Sequence, residues 1–267
     1  MTETMEKIKS SESTTKRPSI SVFFPAYNDG GTIASMALSA MLTCRRLTDD
    51  YEVIVINDGS KDYTPEILDE LGRVYPEHVR IVHHKKNRGY GGALKSGFAS
   101  ATKDLVFYTD GDAQYDPHEL ELLLEKMTPG VDIVNGFKIS RSDPLHRLII
   151  GRIYHLTVKF LFGLKISDTD CDFRLIRRSC FEDIELTSNS GTIALELVKK
   201  LQDAGFNFVE VPVHHFHRAY GKSQFFNFPR LWRTAVNLLT LWWQLEIRRE
   251  HKKYQQQRIK ERALSGK

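Results

Sequence analysis

Cysteine is scarce in this 267-residue chain: Cys44, Cys171 and Cys180 are odd in number and share no CxxC spacing. That excludes a disulfide framework and a cysteine zinc site, and it points to a reducing compartment. Long apolar runs are missing too. No stretch reaches the roughly 18 uninterrupted apolar residues of a bilayer-spanning helix, because Arg152 and Lys159 break the best early candidate and Glu246 closes the later one. The opening MTETMEKIKSSESTTKRPS carries no apolar run behind its charges, so it reads as a disordered lead-in, neither signal peptide nor anchor. Excess charge is also lacking: 38 Lys and Arg against 34 Asp and Glu leave +4, too mild to imply a nucleic-acid partner. With 41% hydrophobic and 27% charged residues the composition is that of a globular protein, and the length suits one domain with appendages.

What is present is alternation. From Ser19, SISVFF reads as a strand, GTIASMALSAMLTCRRL as a helix, YEVIVIN as a strand, and TPEILDELGRVY as a helix opened by Thr64 and Pro65. VRIVHH, GALKSGFASA and DLVFYTD continue as strand, helix and strand; PHELELLLEKM is a helix with Pro117 at its start, and VDIVNGF a fifth strand. Nearly all-apolar strands separated by helices predict an α/β fold, a doubly wound and mostly parallel sheet with helices on both faces. After Phe137 the rhythm changes: LHRLIIGRIYHLTVKFLFGLKI is apolar with cationic interruptions, and GTIALELVKKLQDAG is a helix leading into the strand FNFVEVPVHHF. In the last part Leu231, Ala235, Leu238, Trp242 and Leu245 recur at steps of three and four, with Arg230, Arg233, Arg248, Arg249, Lys252 and Lys253 near the ends. This predicts an amphipathic helix, whose cationic flanks favour a membrane surface over the alternative that Trp232, Trp242 and Trp243 cap the core. The expected organisation is a lead-in over 1–18, the α/β domain over 19–226, and a helix with a basic tail over 227–267.

In an open parallel sheet, ligands bind beyond the carboxyl ends of the strands. Those positions hold Pro25, Ala26, Tyr27, Asn28 and Asp29; then Asn57, Asp58, Gly59 and Ser60; then Asp110, Gly111 and Asp112. Such residues are also ordinary turn formers, but three such turns fall at one sheet edge. In extended backbone, residues two apart point to the same side, so Asp110 and Asp112 come together. Oxygen-only ligation suits Mg²⁺ or Mn²⁺ held jointly with substrate phosphates, and Gln114 is a third oxygen donor. A calcium loop would use Asp110, Asp112, Gln114 and Glu121, but Tyr115 replaces its glycine and a strand precedes it. Gly89, Tyr90, Gly91 and Gly92 resemble a dinucleotide fingerprint until its third position falls on Leu94. That helix start can still offer backbone N–H groups beside Lys86 and Arg88. His214, His215 and His217 lack partners at zinc spacing.

PAYN, NDGS, NRGYGGALKSGF, TDGDAQYDP, SDTDCDFRLIRR and HRAYGKSQF, in this order, resemble family 2 glycosyltransferases, most of all the polyprenyl-phosphate (dolichyl-phosphate) hexose synthases. The resemblance spans about Arg17 to Phe226 and implies a GT-A-type fold. It implies transfer of a hexose, with inversion, from a nucleoside diphosphate sugar of the UDP-glucose or GDP-mannose class to a polyprenyl phosphate. It further implies that Pro25, Tyr27, Asp29, Asp58, Gly89 and Asp110 hold the donor, and that Asp110, Asp112 and Gln114 hold the metal. Asp168 falls beside the acceptor, Asp172 stands where relatives often have glycine, and Arg218, Gly221 and Ser223 match a loop closing on the phosphates. Lys138, Arg147, Lys222 and Ser223 fall where acceptor-phosphate contacts are expected.

A diphosphate leaving group needs its developing charge neutralised, which a divalent cation with Arg218 or Lys222 would supply. A phosphate monoester with a second pKa of about 6 is already mostly dianionic at neutral pH, so no Ser-His-Asp constellation is needed. Asp112, Asp168 and Arg218 are therefore the catalytic candidates, with Asp168 orienting the acceptor or simply capping the following turn. The expected partners are the nucleotide sugar, the lipid phosphate and a membrane surface on the cytoplasmic side, reached peripherally, with a membrane-anchoring partner left open. The alternatives are a family 2 transferase acting on a soluble saccharide or protein, and a catalytically silent scaffold that keeps the nucleotide-sugar fold. Processive synthases are disfavoured because neither QxxRW nor spanning helices appear.

Overall fold

The computed structural model describes residues 17–139, 155–218, 220 and 228–265. Sixteen residues of the expected lead-in fall outside them, as do the acceptor-phosphate candidates Arg147, Lys222 and Ser223 and the loop residue Gly221. The first half follows the alternation: β1 (Ile20–Ala26), α1 (Ile33–Leu47), β2 (Tyr51–Asn57), α2 (Thr64–Val74), β3 (Val79–His83), α3 (Tyr90–Ser100) and β4 (Leu105–Thr109). Asp62 opens α2 by accepting from the Thr64 backbone N–H at 3.0 Å, with Pro65 in the first turn. The helix expected to begin at Pro117 opens as a 3-10 turn, Pro117–Glu119, before α4 (Leu120–Lys126). The side chain of Asp116 caps that turn through the His118 N–H, holding it tighter than an α-helix.

Then come β5 (Ile133–Lys138), a helix α5 over 155–162, β6 (Phe173–Arg177), a 3-10 turn (Arg178–Glu182), α6 (Ile193–Asp203) and β7 (Phe208–Val213). The seven strands form one sheet in the order β3-β2-β1-β4-β6-β5-β7. β6 was not expected, and it runs antiparallel to both neighbours while the other pairings are parallel. Every β1 residue is buried, as every β4 residue is, because helices cover both faces. Ile20, Val22 and Phe24 pack with Met36, Ala37 and Ala40 of α1, whereas Phe23 packs on the other face with Leu94, Phe98 and Leu197. One strand thus serves two cores by its period of two.

The chain ends in α7 (Phe228–Trp242), a π-helical turn (Trp243–Arg248) and α8 (Glu250–Ser265). Here the structure corrects the sequence reading. Leu238 and Leu245, with Leu241, are buried against Val158 and Phe162 of α5 and Leu195 and Val198 of α6. Trp242 joins them and donates its indole N–H to the Leu161 carbonyl at 3.1 Å. The stripe expected to meet lipid therefore packs on the core where it is described, except that Ala235 is exposed. Neither Trp232 nor Trp243 caps the core; both are exposed.

Candidate functional site

The carboxyl ends of β1, β2 and β4 lie together, with Ala26 opposite Asn57 across the β1–β2 ladder. Beyond them opens a cavity of about 530 Å³ lined by Pro25, Tyr27, Asp29, Asp58, Gly89, Tyr90, Asp110, Gly111, Asp112, Asp172 and Arg218 among others. Most residues singled out at the strand ends thus meet in one place. The antiparallel run of β6 adds Asp172: the residue before an antiparallel strand lands on the same edge as the residues after its parallel neighbours. A search restricted to strand ends misses it for that reason.

The Asp110-Gly111-Asp112 turn is tightly fitted. A Cβ on Gly111 would stand 2.8 Å from the Ile33 side chain, so no other residue fits between the two carboxylates without repacking. Thr32 Oγ1 donates to the Gly111 carbonyl at 2.8 Å, and the Gln114 N–H donates to Asp112 Oδ1 at 3.1 Å. Ala113 sits at φ 60°, a left-handed conformation that costs a residue with a Cβ about 1–3 kcal/mol and is held by those bonds. Tyr90 Oη donates to Asp110 Oδ1 at 2.8 Å, and an Arg218 nitrogen stands 2.6 Å from Asp112 Oδ2.

Burial pushes the Asp110 carboxyl well above the usual range, and the Asp172 and Asp112 charges push it further. Asp112 and Asp172 are raised by burial as well, each partly offset by its arginine, Arg218 and Arg174. Asp29 rises to about 6, chiefly through burial, although the Tyr27 N–H holds its Oδ2 at 2.9 Å. Crowded carboxylates with raised proton affinity are a place where a cation is favoured. Among the described residues, no group of three or more His, Cys, Asp or Glu is arranged to hold a metal by itself. An all-oxygen pair that must borrow further ligands fits Mg²⁺ or Mn²⁺ shared with phosphates. Gln114 does not line the cavity; its Nε2 donates to the Phe216 carbonyl at 3.1 Å, tying down the segment that leads to Arg218.

Asp58 is buried, and its Oδ1 accepts both from the Arg88 N–H at 2.8 Å and from His84 Nδ1 at 2.6 Å. His84 Nε2 in turn meets Ser96 Oγ at 2.9 Å, which fixes the ring. At the start of α3 three amides are taken within the protein: Arg88 N–H goes to Asp58, Gly89 N–H to Asn87 and Gly91 N–H to the Asn189 carbonyl. Gly89 has φ 81°, and a Cβ there would meet the Asn189 carbonyl oxygen at 2.5 Å, so glycine is required.

Asp168 lies outside the cavity lining and accepts from the Asp170 N–H at 3.0 Å, a turn-capping contact. Lys138 reaches the Asp170 carbonyl with its ammonium at 2.7 Å. Behind both lies Arg174, fully buried and bonded to Asn135, Tyr108, the Thr169 carbonyl and Asp172. Arg174, Tyr90 and His84 carried no local signal in the sequence, because their partners come from distant segments. The three histidines form no cluster: His214 pairs with Glu119 and His215 packs edge-on against Tyr115.

The comparisons agree with this geometry. An undecaprenyl-phosphate 4-deoxy-4-formamido-L-arabinose transferase of Enterobacter sp. (strain 638) is 27% identical over 221 residues, 83% of this chain. The match spans 66% of that relative's length. Glucosyl-3-phosphoglycerate synthase from Mycobacterium tuberculosis, solved with Mn²⁺, UDP and glucosyl-3-phosphoglycerate, superposes with a TM-score of 0.64 at 20% identity, covering 85% of this chain and 79% of the other. The same enzyme with Mg²⁺ and UDP gives 0.60 at 18% identity, covering 91% and 83%. These likenesses establish a GT-A-type fold. The profile described as "Glycosyl transferase family 2" matches residues 21–185, more than half of the chain, and with the cavity those residues build, the chain belongs to glycosyl transferase family 2.

Proposed function

We propose that this glycosyltransferase moves a hexose from a nucleoside diphosphate sugar to the phosphate of a polyprenyl phosphate, with inversion. The observation that carries the reading is the pairing of Asp110 and Asp112 on one cavity wall with Arg218 only 2.6 Å from Asp112. A diphosphate is the ligand that answers both signs at once: its oxygens complete a cation's coordination and accept from a guanidinium. The lipid phosphate is supported by the undecaprenyl-phosphate acceptor in the relative's name.

In this reading Pro25, Tyr27, Asp29 and Gly89 line the nucleoside end, and Asp58, oriented by His84 and Arg88, accepts an N–H from the base. Mg²⁺ or Mn²⁺ on Asp110 and Asp112 would neutralise charge on the diphosphate, with Asp172 on the same cavity wall. Arg218 donates to the departing diphosphate. The acceptor phosphate oxygen forms the bond to the anomeric carbon from the opposite face, while the bonding pair to the leaving oxygen departs with the nucleoside diphosphate. No proton need be abstracted, since the phosphate is mostly dianionic at neutral pH. Lys138, Arg147, Lys222 and Ser223 are assigned to the acceptor phosphate by their charge and hydroxyl chemistry, and Asp168 shapes the acceptor edge by capping the turn that carries Asp170. The reaction belongs on the cytoplasmic face; the free, buried thiols of Cys44, Cys171 and Cys180 suit a reducing compartment.

The test is transfer of labelled sugar from a panel of UDP- and GDP-sugars into organic-extractable product with a short polyprenyl phosphate. The expected result is a product from one donor that needs Mg²⁺ or Mn²⁺ and is lost in Asp112→Asn, whose melting temperature stays near that of the wild type. Donor hydrolysis without lipid product, or transfer only to a water-soluble acceptor, overturns the acceptor. Unchanged turnover in Asp112→Asn overturns the metal assignment.

A further inference from the structure

A helix on the surface of a globular protein buries one apolar stripe and turns a polar face outward. α7 does not. It buries Leu238 and Leu241, with Leu245 following in the π turn, and on the opposite side it exposes Trp232, Val236, Leu239, Trp243 and Ile247, again at steps of three and four. Trp232 is 68% exposed, Leu239 59% and Trp243 54%. α5, which packs on α7 through Val158 and Phe162, likewise turns Leu156 and Phe160 outward, Phe160 at 87% exposure. Trp242 bonds the carbonyl of Leu161, the residue after Phe160, so the two helices meet beside Phe160.

We infer that this two-helix face is a docking surface for an anionic bilayer, lying flat on it with Trp232, Leu239, Trp243 and Phe160 inserted among the headgroups. The inference rests on the lipid-phosphate reading above and deepens it by naming the surface that meets the lipid. Charge decides the occupant. Exposed Arg233 lies near one end of the α7 stripe and exposed Arg249 at the other, next to Arg248, which pairs with Glu250 at 3.4 Å, while the acid within the stripe, Glu246, is turned onto Lys199 at 2.8 Å. Anionic headgroups would neutralise those cations. A second copy docked by a two-fold axis would instead bring them against their own like charges. Tryptophan is the side chain that favours the boundary between hydrocarbon and water.

The position in the chain agrees. α5 and α7 are the first described elements after the carboxyl ends of β5 and β7, and both strands run in the direction of β1, β2 and β4. Both strands therefore end at the sheet edge that carries the cavity. Among the described residues no helix is long and apolar enough to cross a membrane, so contact through this face would be with one leaflet.

The experiment is co-sedimentation of the full chain with vesicles of phosphatidylcholine alone, or of phosphatidylcholine mixed with phosphatidylglycerol, both free of polyprenyl phosphate. Wild type should bind the mixed vesicles, less so at high salt. The double variant Trp232→Ser/Trp243→Ser should bind them about tenfold or more weakly, because each indole lost removes apolar area from the interface. Phe160→Ser should weaken binding from the other helix. All three side chains are exposed, so melting temperatures should be unchanged, and transfer to a short, water-soluble polyprenyl phosphate should persist. The inference is overturned if wild type stays in the supernatant, if the variants bind equally well, or if the same substitutions disperse a dimer seen by sedimentation velocity. Vesicle binding that survives without any polyprenyl transfer would support the surface and sink the acceptor assignment separately.

Discussion

Among the described residues Arg174 is the largest side chain with no exposure, and it carries a charge. It offsets Asp172, which itself stands beside Asp110 and Asp112, so the cavity wall holds more negative charge than its one buried guanidinium balances. The excess is a stability cost accepted at a functional site. Because burial, Asp172 and Asp112 all hold the Asp110 carboxyl well above its ordinary value, its ionised form costs the folded protein stability. Asp110→Asn keeps an acceptor for the Tyr90 hydroxyl and removes that charge. The variant should therefore melt higher than wild type in the absence of divalent cations, and should gain nothing when Mg²⁺ or Mn²⁺ is added, whereas wild type gains. Thermal melts with and without the cation check both halves; a lower melting temperature for the variant would contradict the charge argument.

The C-terminal elements are held by a different kind of contact. α8 is strongly polar, and it is fastened to α6 through buried ions: Asp203 accepts from Lys199 at 3.0 Å and His251 at 2.8 Å, Lys252 stands at 3.4 Å, and Gln255 donates to the Lys200 carbonyl. Burial alone would raise the Asp203 carboxyl, but the hydrogen bonds from His251 and Lys199, with the Lys199 and Lys252 charges, bring it from 3.8 down to about 2. Between those values the unfolded chain binds more protons than the folded one, so this clasp contributes fully above about pH 4 and is lost as pH falls through about 2. Asp203→Asn should cost about 1–2 kcal/mol at neutral pH after solvent screening, and the deficit should vanish toward pH 2. Urea melts at both ends of that range decide it; an equal deficit at each pH would mean that ionisation of Asp203 plays no part.

For the whole molecule, the cavity makes nucleotide binding and stability one quantity. A UDP or GDP nucleotide with Mg²⁺ should raise the melting temperature, by the equivalent of about 2.7 kcal/mol at a hundred times its dissociation constant. A scan of both nucleotides names the base, and no shift from either would favour a silent scaffold. The alternation of apolar strands and helices, and the Asp110-Gly111-Asp112 turn, were legible because each is a local pattern of spacing. β6 was not: in FRLIR the two charges, Arg174 and Arg177, fall three apart and break the period of two, and Arg174 is buried only because Asn135, Tyr108 and Thr169 close around it. The period of α7 was legible, but with apolar residues on both faces the spacing could not tell which one is covered. The strand that escaped detection also sets the order in which the sheet can be completed during synthesis. β5 has no ladder with β4; its two neighbours, β6 and β7, are both made after it. A ribosome thus delivers β1 to β4 as a finished parallel unit, while the edge of β4 stays bare until Phe173–Arg177 emerges to cover it. Nascent chains stalled between β5 and β6 carry an open, apolar strand edge, and those are the lengths at which a holding chaperone has most to protect.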